Sequence, residues 1–168
     1  MDRLWSPWRL EYITRAAQDE GCIFCQQSQP PENASLVVFE GRTCYVILNL
    51  FPYNNGHLMV VPRRHIGSLA ALAAEEMTEV GVLTQRCETA LTEAYRPQGF
   101  NIGVNLGKSA GAGVLDHVHV HVVPRWSGDT NFMTVVGEMR VLPESLGESA
   151  ARLRPIFARL DHPADPET

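Results

Sequence analysis

Three histidines alternate with valines in His117-Val118-His119-Val120-His121-Val122-Val123-Pro124-Arg125. Valine favours strands, and strand side chains alternate between faces with a period of two. The pattern predicts His117, His119 and His121 on one face and Val118, Val120 and Val122 on the other. With the valines in a core, the imidazoles look into a cleft, spaced about 6.5–7 Å apart, twice the strand rise. That spacing suits a row of groups along a chain of phosphates, or a metal at one end of the row. A lone strand histidine is ordinarily a half-buried spacer. Three in register set titratable rings side by side, which costs self-repulsion when they are charged and marks the row as functional. Metal binding and nucleophilic catalysis both fit it.

Two further segments carry chemistry. Cys22-Ile23-Phe24-Cys25 has the spacing at which two thiolates reach one tetrahedral zinc, the remaining ligands being histidines from elsewhere. Gln26 to Pro31 after it reads as a loop, which argues against a thioredoxin-like motif. The segment Leu106 to Gly113 holds three glycines and the chain's only lysine, Lys108. It can present backbone N–H groups to an anion, and its place just before the histidines points to phosphate. It does not match the P-loop pattern. Arg63, Arg64 and Arg125 lie near these residues in sequence, and each taken singly reads as a surface charge.

The 168 residues suit one domain, 1–168, with a substantial core. No run of about 18 apolar residues predicts a transmembrane helix, and the N-terminus lacks the apolar stretch of a signal peptide. A cytoplasmic location and no membrane partner are the expectation. The formal net charge of −5 argues against a general nucleic-acid binder. Four cysteines in such a chain suggest metal or redox use rather than a disulfide framework.

The elements that must position the histidines follow from periodicity. Residues 36–40 and 44–48 read as a hairpin around Gly41-Arg42-Thr43. A turn-rich stretch from Asn49 to Gly56 leads to a strand over 57–62, and residues 100–105 read as another strand. Leu69, Leu72, Met77, Val80, Leu83, Cys87, Leu91 and Ala94 predict a structural helix over 69–95, with Glu75, Glu76, Glu79 and Glu88 on other faces. Residues 143–160 predict a C-terminal helix that Pro155 kinks or splits. A short aromatic helix after Pro7 within the extension 1–20, an extended piece over 131–136 and a fraying tail 161–168 complete the reading.

With these parts in place, the sequence resembles the histidine triad family. The match is His117-Val-His119-Val-His121-Val-Val-Pro, with Gly56-His57-Leu-Met-Val-Val-Pro62-Arg-Arg-His65 and Asn49 upstream. It covers about residues 22–136. Leu4-Trp5-x-Pro7 and His121-Val-Val-Pro-Arg-Trp126-x-Gly-Asp resemble the branch containing diadenosine tetraphosphate phosphorylases. The resemblance implies an α+β fold with an antiparallel sheet of about five strands, extended across a homodimer. It implies that His119 attacks the α-phosphorus of a dinucleoside polyphosphate, forming a nucleotidyl-histidine that passes to water or phosphate without requiring a catalytic metal. His117 and His121 complete the catalytic row. His121 and Asn105 would contact phosphate, Asn49 the ribose, and His57 would support the nucleophile or the nucleotide pocket. Lys108, Ser109, Gly111 and Gly113 would line the polyphosphate. Many members carry Gln-Ser or Gln-Thr where this chain has Gly113-Val114, which leaves Ser109 and backbone N–H groups as donors. Cys22, Cys25, His65 and His117 match the zinc ligands of some bacterial relatives and would close a structural site. The alternatives are a zinc-stabilised nucleotide-binding module, a nucleoside phosphoramidase, and a metalloenzyme that uses the row to hold a catalytic metal.

Overall fold

The computed structural model describes residues 21–27, 36–129 and 143–161. Strands β1 (Val37–Glu40), β2 (Cys44–Leu48), β3 (Leu58–Pro62), β4 (Gly99–Gly103) and β5 (Val120–Arg125) form one five-stranded sheet in the order β1-β2-β3-β5-β4. Every neighbouring pair is antiparallel. Helices α1 (Ile23–Gln27), α2 (Ala74–Tyr95) and α3 (Leu146–Asp161) accompany it. The expected segments at 1–20, 131–136 and 162–168 lie outside the described residues.

All five residues of β2 and all five of β3 are buried, because the sheet is covered on both faces. On one face Val46, Leu48, Leu58, Val60, Val120 and Val122 pack under α2, through Val80, Leu83 and Leu91, and under α3, through Leu153 and Phe157. On the other, Tyr45, Ile47, Met59 and Val61 meet Phe24 of α1, with Val114 packed at the margin. The predicted alternation of β5 holds: Val120 and Val122 lie on the helix side, and His121 sits opposite Met59 and Gly103 in register. The ladder is shorter than predicted. It starts at Val120, because the Val118 N–H donates instead to the Ile66 carbonyl at 2.6 Å. His117 and His119 therefore stand on a lead-in to the strand.

Two other expectations are corrected, and one pair of acidic residues gains partners. Helix α2 starts at Ala74, after a 3-10 turn over Leu69–Ala71 and two extended residues, Leu72 (ψ 139°) and Ala73 (ψ 155°). Glu76 and Glu79, which the periodicity left off the apolar stripe, are both bound. Glu76 accepts the Ala73 N–H at 2.8 Å and the Arg64 guanidinium at 2.7 Å. Glu79 accepts the amides of Arg42, Thr43 and Cys44 and the Thr43 hydroxyl, closing the β1–β2 turn onto α2. Periodicity identifies a helix face but cannot reveal that donors wait beneath it. Helix α3 runs on through Pro155, which lies on its exposed side, so the one backbone bond lost to proline faces water. It begins with a reciprocal cap: Ser145 N–H donates to Glu148 at 2.9 Å, and Glu148 N–H to the Ser145 hydroxyl at 3.3 Å.

The turn into β3 depends on Gly56. Its φ is +75°, and a Cβ there would stand 2.9 Å from the Tyr95 ring and 3.0 Å from Leu91. Only glycine lets this turn lie against α2 and deliver His57 to the open face.

Candidate functional site

His117 is fully buried and His119 is 5 % exposed, so the row does not lie open along its length. Phe24 explains this: its ring lies 5.4 Å from that of His117 and 4.8 Å from that of His119. Only His121 is partly exposed. The rings of His119 and His121 meet edge-on at 4.7 Å, closer than the backbone spacing expected along a strand.

The proton positions follow from the partners. His119 Nδ1 is 2.9 Å from the His117 carbonyl, which can only accept. The proton of neutral His119 is therefore on Nδ1, and Nε2 carries the lone pair. Burial lowers the His119 pKa, with that hydrogen bond opposing, so the ring is held in its neutral, nucleophilic form. His57 is the reverse case. Its Nδ1 accepts the Tyr53 backbone N–H at 3.1 Å and pairs with the Asn49 amide nitrogen at 3.3 Å. The His57 proton is then on Nε2, 3.0 Å from His121 Nδ1, which accepts it. Neutral His121 consequently carries its own proton on Nε2. Fixed partners thus give adjacent rings opposite roles: an unprotonated Nε2 on His119 and a protonated Nε2 on His121.

Cys22, Cys25, His65 and His117 converge at the other end of the row. Their ligand atoms all lie within 4.8 Å of one another. Cys22 Sγ is 3.2 Å and Cys25 Sγ 3.7 Å from His117 Nδ1, and Cys25 Sγ is 3.4 Å from His65 Nδ1. A tetrahedral zinc with bonds of about 2.1–2.3 Å separates its ligands by about 3.4–3.8 Å, so these distances fit. The donor chemistry fits as well. His117 Nε2 donates to the Pro62 carbonyl at 2.8 Å, which leaves the Nδ1 lone pair facing the sulfurs. Burial, followed by the neighbouring Cys22 thiol, pushes the Cys25 thiol up. The other two cysteines are buried in the core and inert, Cys44 with its thiol pushed up to about 11 by burial.

The remaining sequence candidates divide. Asn49 is engaged with the turn: its Oδ1 accepts the Phe51 N–H at 3.0 Å, and its amide meets His57. His57 supports His121 through its Nε2. Lys108 and Ser109 are exposed on a 3-10 turn, Lys108–Ala110, between Gly107 (φ +80°) and Gly111 (φ +86°). Asn105 and Gly113 are half-buried at its flanks. The arginines are committed elsewhere: Arg63 to Glu40 and the Gly41 carbonyl, Arg64 to Glu76, Arg125 to Asp129.

Sequence reasoning gave no role to Phe24, Tyr45, Tyr53, Asn54 or Asp129. Tyr45 donates its hydroxyl to the Phe24 carbonyl at 2.8 Å and so anchors α1. Tyr53 lays its ring 4.8 Å from His57 and 5.9 Å from His121. Phe24 sits between the two cysteines of the motif, which was the available signal for it.

The HIT domain family model matches residues 30–128. The chain is 40% identical over 167 residues to AP-4-A phosphorylase from Mycobacterium tuberculosis, covering 95% of this chain and 86% of that protein. It is 29% identical over 129 residues to the Bis(5'-adenosyl)-triphosphatase of Dictyostelium discoideum, covering 73% and 86%. A Zn-bound histidine triad family protein from Mycobacterium smegmatis has a similar structure, with TM-score 0.66 and 31% identity over 83% of this chain and 95% of that one. By the extent of these matches and the antiparallel sheet that carries the histidines, the chain belongs to the HIT domain family.

Proposed function

We propose that this HIT enzyme cleaves dinucleoside polyphosphates at the α-phosphate, with His119 as nucleophile. The observation that carries this is the proton arrangement of the row. His119 donates its Nδ1–H in a hydrogen bond to the His117 carbonyl and keeps a lone pair on Nε2, beside a protonated Nε2 on His121. His119 Nε2 forms a bond to the α-phosphorus as the bond to the departing nucleoside polyphosphate oxygen breaks. The His117 carbonyl stabilises the positive charge that develops on the ring. His121 Nε2–H donates to a phosphate oxygen as charge builds there. Water or inorganic phosphate then attacks the nucleotidyl-histidine, returns the electron pair to Nε2, and leaves as the nucleoside monophosphate or diphosphate. Phosphate is the acceptor favoured by the 40% identity to a phosphorylase along nearly the whole chain.

Asn49 and the exposed apolar side chains of Leu50 and Phe51 beside it offer the nucleoside a polar contact and an apolar surface. Asn105, Lys108, Ser109, Gly111 and Gly113 line the polyphosphate. Zinc is the metal for the Cys22, Cys25, His65 and His117 group, on its two thiolates and two imidazoles and on the Zn-bound relative. Bound there, it would tie α1 and His65 to His117 and take no part in the chemistry. The protein works as a homodimer through β4, which among the described residues is an edge strand paired with β5 alone and exposes Ile102. Thiols of this kind persist in a reducing cytoplasm. Among the described residues, no helix is long and apolar enough to cross a membrane.

The test is incubation with diadenosine tetraphosphate, with and without inorganic phosphate, followed by product separation and mass analysis of acid-avoiding, rapidly quenched protein. Adenylyl mass on the peptide bearing His119, and ADP formed only with phosphate, are expected. His119→Ala should bind nucleotide and not turn over. Full turnover in that variant would reject the assignment.

A further inference from the structure

Asp129 ends the turn after β5, and it collects donors from three places. Its Oδ2 accepts Arg125 Nε at 2.6 Å, the Asn54 amide at 2.7 Å and the Trp126 N–H at 3.2 Å, while Oδ1 accepts the second Arg125 nitrogen at 2.8 Å. Arg125 also reaches Asn101 Oδ1 on β4 at 2.6 Å. Asn54 is held a second time, by the Pro124 carbonyl at 3.1 Å, and its own carbonyl accepts the His57 N–H at 3.2 Å. The next residue back, Tyr53, supplies the N–H that keeps the His57 proton off Nδ1. A continuous set of bonds therefore runs from edge strand β4 through Arg125, Asp129 and Asn54 to the turn that sets His57, and from His57 Nε2 to His121 Nδ1.

We propose that Asp129 is a positioning residue for His121: by clamping Asn54 it fixes the Tyr53 N–H on His57, and so fixes which nitrogen His121 presents to substrate. It touches no reacting atom. The inference rests on the reading of the row as a nucleotidyl-transfer site. Losing the clamp lets the 51–56 turn drift, His57 can then carry its proton on Nδ1, and His121 loses the donor that holds its Nε2–H. The same bonds tie the ring geometry to β4, so a partner seated on that edge would sit one arginine away from the clamp.

Two variants test this: Asp129→Asn, and Asn54→Ala, which leaves the Arg125–Asp129 pair intact and serves if the first fails to fold. Kinetics on diadenosine tetraphosphate should show kcat lower by about tenfold to a hundredfold, with KM within about threefold, the size of a misplaced proton donor. Long-range 15N–1H spectra of the imidazoles should show His57 and His121 protonated on Nε2 in the unaltered protein and mixed tautomers in the variants. Leu160→Ala, which weakens packing on α3 instead, should lower the melting temperature without moving those signals. Folded variants whose kcat stays within about twofold, or whose kcat falls with both tautomers unchanged, would overturn the inference. If the unaltered protein turns over no dinucleoside polyphosphate, it is the proposed function that fails. The His57 and His121 signals then still decide whether Asp129 governs these rings.

Discussion

Withdrawing the proposed zinc from the Cys22, Cys25, His65 and His117 group should cost the fold about as much as losing a structural disulfide. Cys25 and His65 are 40 residues apart, and Cys22 and His117 are 95 apart. Linking points so separated removes about 4 kcal/mol of chain entropy from the unfolded state per closure. The closures overlap, so they do not add. Mass action gives a comparable figure: free metal at about a thousand times its Kd stabilises the native state by about 4 kcal/mol. For a chain of this size each kcal/mol moves Tm by about 2–4 °C, so the expected fall on chelation is roughly 8–16 °C. His65 and Cys25 are exposed, which lets a chelator reach the site. The assay is a thermal melt of zinc-loaded and chelator-treated protein, with metal content measured on the same samples, repeated on Cys25→Ser. The variant should melt near the stripped protein and respond little to chelator. Stripped protein melting within about 2 °C of the loaded form would refute the reasoning, because a bond set that closes such loops cannot be thermodynamically silent.

Three further outcomes follow from the geometry. Gly56→Ala should destabilise by about 1–3 kcal/mol in denaturant melts, since it strains a positive φ and drives a methyl group into Tyr95; an unchanged midpoint would show that the turn can move off α2. His57→Leu removes the donor to His121 and should lower kcat by about 10²-fold while nucleotide binding, measured by calorimetry, persists. The Glu76 carboxyl is lowered from 4.5 to about 2, through its hydrogen bond from Arg64 and then that from the Ala73 amide. A depressed carboxylate gives stability that is present above about 4.5 and lost as pH falls through about 2. Glu76→Gln should therefore be less stable than wild type near neutrality and approach it across that window; a gap independent of pH would reject the linkage.

Much of this was legible in the residues. The spacing of the three histidines gave their common face, and the core face of β5 followed from its valines. The hairpin over β1 and β2 was readable because its turn and strands obey local rules. The two cysteines pointed to a metal-ligand group, and the two histidines that the family resemblance set beside them lie next to them in the structure. What could not be read was set by long-range partners. Glu76 and Glu79 look like solvated helix positions until Arg64 and the 42–44 amides are placed against them. His119 looked open until α1 brought Phe24 over it. The tautomers of His57 and His121 depend on a backbone N–H four residues before His57, and no side-chain pattern encodes that. The ladder's late start at Val120 arises from Ile66, a residue with no signal in its sequence neighbourhood.

Strand β5 lies inside the sheet, bonded to β3 on one side and β4 on the other. The backbone under His121 is thus held by ladder bonds on both sides, and among the described residues its amide protons should be among the last to exchange. A ring mounted there keeps its station while the borders of the sheet open and close.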